Sequence, residues 1–223
     1  MKLFTATKMI SALTVSLLIA NSAYAAPAKK ENPWYIQGNI GVVFETDSSK
    51  QSLQDLTALG HEVTSIEVLT PHNSIQLELG YQLTEHFALT VGYIDFGDVE
   101  YNVSVNSKYT DDLIKDIAKT GPKYGNGNTF GVVYSYELLP SLVASVDAGV
   151  LFLESEYQVT LNLGSNQTPI YYTQTTSESS TEKYGGLGLS YFFDKFEVGG
   201  YYRYYDINGV GSQWAGIRLG YHF

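Results

Sequence analysis

The chain has 223 residues, a formal charge of −10 and no Cys, which excludes disulfides, thiolate metal sites and a Cys nucleophile. With 13 Lys and Arg against 23 Asp and Glu, it lacks the clustered positive charge that neutralises phosphates, so nucleic acid is not an expected partner. The unusual features are 19 Tyr and 21 Gly. Tyr favours strands and membrane interfaces, and Gly marks places where backbones crowd.

Residues 1–25 read as a secretory signal. Lys2 and Lys8 supply the positive start, an apolar stretch runs from Met9 to Ala20, and Ala23-Tyr24-Ala25 is a small-x-small cleavage site. The apolar stretch is too short to span a bilayer as a helix. This divides the chain into a signal at 1–25 and a mature domain at 26–223. No Cys follows the cleavage site, which excludes a lipoprotein anchor, and no later stretch is long and apolar enough for a membrane helix. An exported chain of this kind is either soluble or crosses a membrane as a barrel.

Alternation with period two then dominates. The first segment puts Trp34, Ile36, Ile40, Val42 and Phe44 on one face, with Tyr35, Gln37, Asn39 and Gly41 on the other. Further segments follow with Ile75 to Leu83, Phe87 to Tyr93, Phe130 to Tyr136, Leu142 to Phe152, Leu187 to Phe193, Phe196 to Tyr204 and Ala215 to Phe223 on their apolar faces. Eight strands of about ten residues suit tilted bilayer crossings. Short turns join the second to the third, the fourth to the fifth and the sixth to the seventh. The other connections are long, at 45–72, 97–127 and 154–183, with a shorter one at 206–212. These sequence features predict an all-β fold, an eight-stranded antiparallel transmembrane β-barrel with short periplasmic turns and long extracellular loops.

Three features favour membrane over water. The polar face is rich in Gly and Ser, which suits a narrow interior. Aromatics on the apolar face gather at both strand ends around an aliphatic middle, as two lipid–water interfaces select. The chain closes on an apolar set, Ala215, Ile217, Leu219, Tyr221 and Phe223.

Residues 79–98, LGYQLTEHFALTVGYIDFGD, and 186–206, GLGLSYFFDKFEVGGYYRYYD, resemble the second and the late hairpins of OmpA-like outer-membrane barrels. The terminal alternation ending in Phe223 resembles the signal read by the barrel assembly machinery. The resemblance covers the barrel architecture and leaves the long loops unmatched. Larger members of that family add a peptidoglycan-binding domain, and this chain ends at the barrel, so cell-wall tethering is not carried over. Small stand-alone members include adhesion, resistance and accessory colonisation proteins. The resemblance therefore implies an outer-membrane protein of a Gram-negative bacterium, embedded in lipid, whose loops meet a host-surface or extracellular ligand.

Candidate chemistry starts inside the barrel. Parity and distance from the short-turn end place Glu78, Asp147, Arg203 and Arg218 inward at one height, a neutral set able to pair. The expected role is an ionic plug, with a narrow gated conduit as the alternative. For the whole protein, the alternative to surface interaction is a structural outer-membrane protein or narrow gated pore, and a lipid-modifying outer-membrane enzyme comes third, without support from spacing: His61, His72, His86 and His222 are scattered, and the Ser residues of the first loop form no triad pattern with them. No catalytic residue, metal site or cofactor is therefore assigned. The acids at Asp111, Asp112 and Asp116 suit the first turns of a helix and need no ion. Two loop stretches carry helical stripes: 52–59 with Leu53, Leu56 and Leu59, and 110–120 with Leu113, Ile114, Ile117 and Ala118. The stripes either pack on the barrel rim or on each other, or meet a partner. Together with Tyr171 and Tyr172 in the third loop, they are the candidate contact residues.

Overall fold

A computed structural model describes residues 32–44, 48–69, 73–105, 111–120, 124–162, 170–207 and 210–223. The expected signal at 1–25 lies outside them. The strands are β1 (Trp34–Phe44), β2 (Val63–Leu69), β3 (Asn73–Gln82), β4 (Phe87–Asp95), β5 (Val99–Val105), β6 (Gly125–Leu139), β7 (Leu142–Asn162), β8 (Tyr171–Phe193), β9 (Phe196–Ile207) and β10 (Val210–His222). Helix α1 covers Ser48–Ala58 and α2 covers Asp111–Thr120.

Eight strands close a ring in the order β1-β3-β4-β6-β7-β8-β9-β10, every neighbour antiparallel, with β10 returning to β1 and β8 pairing with β7. Closure satisfies every backbone group inside the bilayer and leaves no edge there. The short turns are tight because their residues tolerate it. Ser141 and Asp194 hold the left-handed conformation in two-residue hairpins. At 83–86, Thr84 Oγ1 accepts the N–H groups of His86 and Phe87 at 3.3 and 3.0 Å.

The apolar face points outward. Ile40, Ile75, Leu77, Leu187, Ile217 and Leu219 are exposed, which is the inversion a lipid solvent produces. Aromatics flank this band in cross-strand contacts: Trp34 against Tyr81 at 4.8 Å, Phe196 against Tyr221 at 5.2 Å, and Phe130 against Phe152 at 5.8 Å at the other end. Inside, glycines make room for large rings. The Tyr35 ring fills the space a Cβ on Gly80 would need, and the Tyr184 hydroxyl lies where Cβ atoms on Gly131 and Gly149 would sit.

The long connections depart from the expectation of open loops. β7 and β8 run on well past the bilayer as one hairpin, paired without a break from Leu142↔Tyr191 to Asn162↔Tyr171. β5 takes the place beside β7 that β6 vacates, pairing parallel with it from Val99↔Tyr157 to Ser104↔Asn162, and β2 pairs antiparallel with β5. The result is an extracellular sheet, β2-β5-β7-β8, continuous with the barrel wall.

The apolar parity of β7 switches at the rim. Below it, Val146, Ala148, Val150 and Phe152 face lipid. Above it, Leu151, Leu153, Tyr157, Val159 and Leu161 are buried on the inner face, and Glu154, Glu156 and Gln158 turn outward. The outer side passes from lipid to water, while the inner side passes from a polar lumen to an apolar core. That core joins Leu56, Leu113, Ile114, Ile117, Val103 and Phe96 to Tyr205 and Trp214 of the upper lumen.

Candidate functional site

Alternation decides which side chains enter the lumen, and register decides their height. Gln37 lies opposite Glu78, Asn39 opposite Arg218, and Arg203 opposite both Gly186 and Trp214. All four expected charges are buried and meet. Arg203 Nη2 donates to Glu78 Oε1 at 3.2 Å and to Asp147 Oδ2 at 2.5 Å, and its Nη1 donates to the Tyr205 hydroxyl at 3.2 Å. Tyr201 donates its hydroxyl to the same Asp147 oxygen. Arg218 Nε donates to Asn39 Oδ1 at 3.0 Å, with Glu78 Oε2 3.9 Å from its Nη2. Asn39 Nδ2 in turn donates to Glu78 at 3.2 Å. The Tyr201 ring stacks on both guanidinium groups, 3.9 Å from that of Arg218 and 4.7 Å from that of Arg203. Buried charges persist only when paired and hydrogen-bonded, and each of these four is.

The plug contains more than the four. Glu197 of β9 is buried beside Arg218 at 3.9 Å, accepts from Gln37 Nε2 at 2.7 Å and contacts His222 Nε2 at 3.2 Å. It brings a third carboxylate to the cluster, beside Arg218. Its parity with Arg203 on β9 is the signal in the sequence that points to it. Toward the periplasm the lumen is filled by His222, stacked on Tyr35 at 4.9 Å and edged by Phe192 at 5.0 Å. Toward the outside, Tyr184, Tyr201, Tyr205 and Trp214 lead into the cap core. The cross-section is therefore filled by aromatic rings, then charges, then aromatic rings, then aliphatic side chains.

The cap decides between the two readings of the loop stripes and corrects their place among the contact residues. Helix stripes form where expected, but Leu56, Leu113, Ile114 and Ile117 are buried in the cap and Leu53 packs against the same core. They hold the cap together and do not form an exposed contact surface. The end of α1 is tied to α2 by His61 Nε2 and Asp116 Oδ2 at 2.9 Å. Tyr124 and Ser212 hydroxyls pair at 2.9 Å and join the cap to β10. Leu59, Tyr171 and Tyr172 are exposed. The two Tyr stand at the start of β8, at the far end of the long hairpin. The flanking Thr110, Gly121 and Pro122 lie outside the described residues. Ile217 and Leu219 of β10, and Phe223 just after it, are exposed on the lipid side, and Ala215 and Tyr221 share that parity.

No helix among the described residues is long and apolar enough to cross a membrane. Residues 13–223 match the family model described as the outer membrane protein beta-barrel domain. No curated protein matches the sequence. Among solved structures, the chain is similar to the N-terminal β-barrel domain of Pseudomonas aeruginosa OprF, at 15% identity and a TM-score of 0.49 over 86% of this chain and 98% of that one. It is also similar to Neisserial surface protein A, at 13% identity and a TM-score of 0.46 over 86% and 97% of the two chains. A third similar structure is Ail, the attachment invasion locus protein of Yersinia pestis, at 11% identity and a TM-score of 0.44 over 86% and 99%.

Proposed function

The chain belongs to the outer membrane protein β-barrel domain family, and from that premise we propose that it is a surface-interaction protein, mediating adhesion or colonisation through its extracellular part. The barrel is an outer-membrane anchor embedded in lipid. The observation that carries the reading is the folded cap. The extracellular residues form their own sheet, two helices and an apolar core, and they extend the β7–β8 hairpin far past the rim. A protein whose only task is to span the membrane needs no such structure. Loops carried on a rigid scaffold are where binding residues concentrate.

The exposed Tyr171 and Tyr172 at the hairpin end, with the Thr- and Ser-rich strand below them, suit adaptable contacts of the kind Tyr and Ser make in other recognition surfaces. The outward residues of β10 ending in Phe223 serve in this reading as the signal for the barrel assembly machinery. The experiment is adherence to host cells and mucus by bacteria that lack the protein, carry it intact, or carry the barrel with its cap trimmed to short turns. Only the intact form should restore adherence. Equal adherence by all three would remove the adhesion role.

A second reading, a narrow pore, has one observation in its favour: the lumen is lined with ionisable groups that could re-pair. Against it stand the aromatic layers on both sides of those groups.

A further inference from the structure

On the lipid face, β1 presents Gly38 between Ile36 and Ile40. The residues paired with Gly38 on its two sides are Leu77 of β3 and Leu219 of β10. A Cβ on Gly38 would meet nothing within 4 Å. The missing side chain therefore opens a notch between two branched neighbours. The notch is part of a groove of about 590 Å³ that is walled by Ile40, Ile75, Leu77, Ile217 and Leu219 and reaches Tyr93 on β4. That size lies within the range of about 300–1,000 Å³ typical of small-molecule sites.

The walls stand more open than the band beside them. Ile40, Ile75, Leu77, Ile217 and Leu219 are all at least 56% exposed, whereas the paired Ile36 and Leu79, one step nearer the periplasm, are 37% and 39% exposed. The side chains around Gly38 thus offer their flanks as well as their tips to whatever enters.

The groove also has a direction. Ile217 lies near the middle of the outward band, and Tyr93 stands two residues from the extracellular end of β4. A Tyr at that level gives its ring to hydrocarbon and its hydroxyl to the polar layer. The groove therefore leads from the bilayer middle to the outer interface, as one acyl chain of the outer leaflet does.

A second copy fits this place poorly. Two barrels are convex and touch along a narrow strip, far short of the area a stable dimer buries. Hydrocarbon gives apolar faces no drive to associate, so contact there depends on close packing or polar glue. Apart from Tyr93, the outward side chains of the groove are all apolar. An alkyl chain is flexible enough to lie along the floor and collect dispersion contacts from both walls. The groove is moreover continuous with the face that lipid already covers.

We propose that the groove at Gly38 holds one acyl chain of an outer-leaflet lipid in a fixed place, with the Tyr93 hydroxyl donating to an ester or headgroup oxygen of that lipid. One lipid is then a bound ligand of the barrel, selected by shape and one hydrogen bond, and not only part of its solvent.

The test is native mass spectrometry of the full chain released from detergent micelles and titrated with dipalmitoyl phosphatidylethanolamine. The first lipid should bind about ten-fold or more tightly than the next. Gly38→Leu puts a side chain into the groove and should abolish that first step. Gly200→Leu adds the same side chain to the lipid face, again with nothing within 4 Å of its Cβ, but outside the groove lining. It should leave the first step intact. Tyr93→Phe should weaken that step several-fold and keep its stoichiometry.

A second measurement needs no variant. A nitroxide at the middle of the palmitoyl chain, in nanodiscs of the intact protein, should broaden the amide signals of Gly38 and Leu77 more than those of Leu187 and Leu189 on β8. Equal affinity for successive lipids, a first step that survives Gly38→Leu or is lost equally in Gly200→Leu, or uniform broadening would overturn the proposal. So would a dimer mass that Gly38→Leu removes, which would give the groove to a second copy.

Discussion

The guanidinium of Arg203 donates to Glu78, a residue 125 positions earlier in the chain, at 3.2 Å across the lumen. β1 and β10 lie between their strands in the ring, so this one contact ties opposite parts of the wall. It also holds Asp147 of β7, which makes Arg203 the centre of the plug. Replacing Arg203 by Ala takes the guanidinium from buried Asp147, leaves Glu78 only Asn39 and Arg218, and should cost about 3–5 kcal/mol. The measurement is the urea midpoint of the folded barrel in detergent, followed by mobility without boiling. An unchanged midpoint would show that the contact does not support the fold.

Removing both guanidinium groups also removes the bulk that fills the middle of the lumen. Arg203→Ala with Arg218→Ala should give frequent conductance steps in planar bilayers. A trace like that of the intact protein would mean that the aromatic layers alone block the pore.

Tyr35 and Gly80 are a second tight pair, because the ring occupies the Cβ position of the glycine. Gly80→Val should push the ring aside and cost about 1–3 kcal/mol. Tyr35→Ala should recover part of that loss in the double variant, since the two residues share one space. Additive losses in the double-mutant cycle would show that the contact is not the cause.

The cap has its own core and should fail on its own. Ile117→Ala leaves a cavity among Leu113, Leu56 and their neighbours and should cost the cap about 2–5 kcal/mol. Limited proteolysis should then cleave within 48–69 or 99–120 at lower protease while the barrel keeps its folded mobility. Cleavage no faster than in the intact protein would contradict a separable cap core.

The lipid face predicts a depth effect. Ile217 sits near the middle of the outward band, paired with Gly200 and Ile40. Ile217→Arg should destabilise by about 2–4 kcal/mol, whereas Thr175→Arg, above the rim, should be nearly neutral. Equal midpoints for the two variants would place the bilayer elsewhere.

The sequence makes the barrel readable for a simple reason: period-two alternation is strongest where one side meets lipid and the other a polar lumen. Parity and distance from the short-turn end put Glu78, Asp147, Arg203 and Arg218 in contact range, because a ring of antiparallel strands leaves few places for inward charges to go. Glu197 shares that parity and joins the cluster one layer nearer the turn, beside Arg218.

The cap was harder to read. Val99, Tyr101, Val103 and Val105 alternate as cleanly as any barrel strand, but β5 is too short to cross a bilayer. Beyond Leu151, the β7 pattern inverts, because the apolar side there faces a core and not lipid. A reading tuned to lipid-facing residues takes that inversion for the end of the strand. The helical stripes were visible, but their burial depended on a sheet formed by β2, β5, β7 and β8 that local pattern does not announce.

A closed lumen leaves function to be displayed outside the membrane. Single-channel recording of the intact, folded protein in planar bilayers tests it most directly. The account predicts a flat trace at the voltages and salt where the Arg203→Ala, Arg218→Ala variant conducts. Discrete, repeated openings of the intact protein would contradict it and make the narrow pore the better reading.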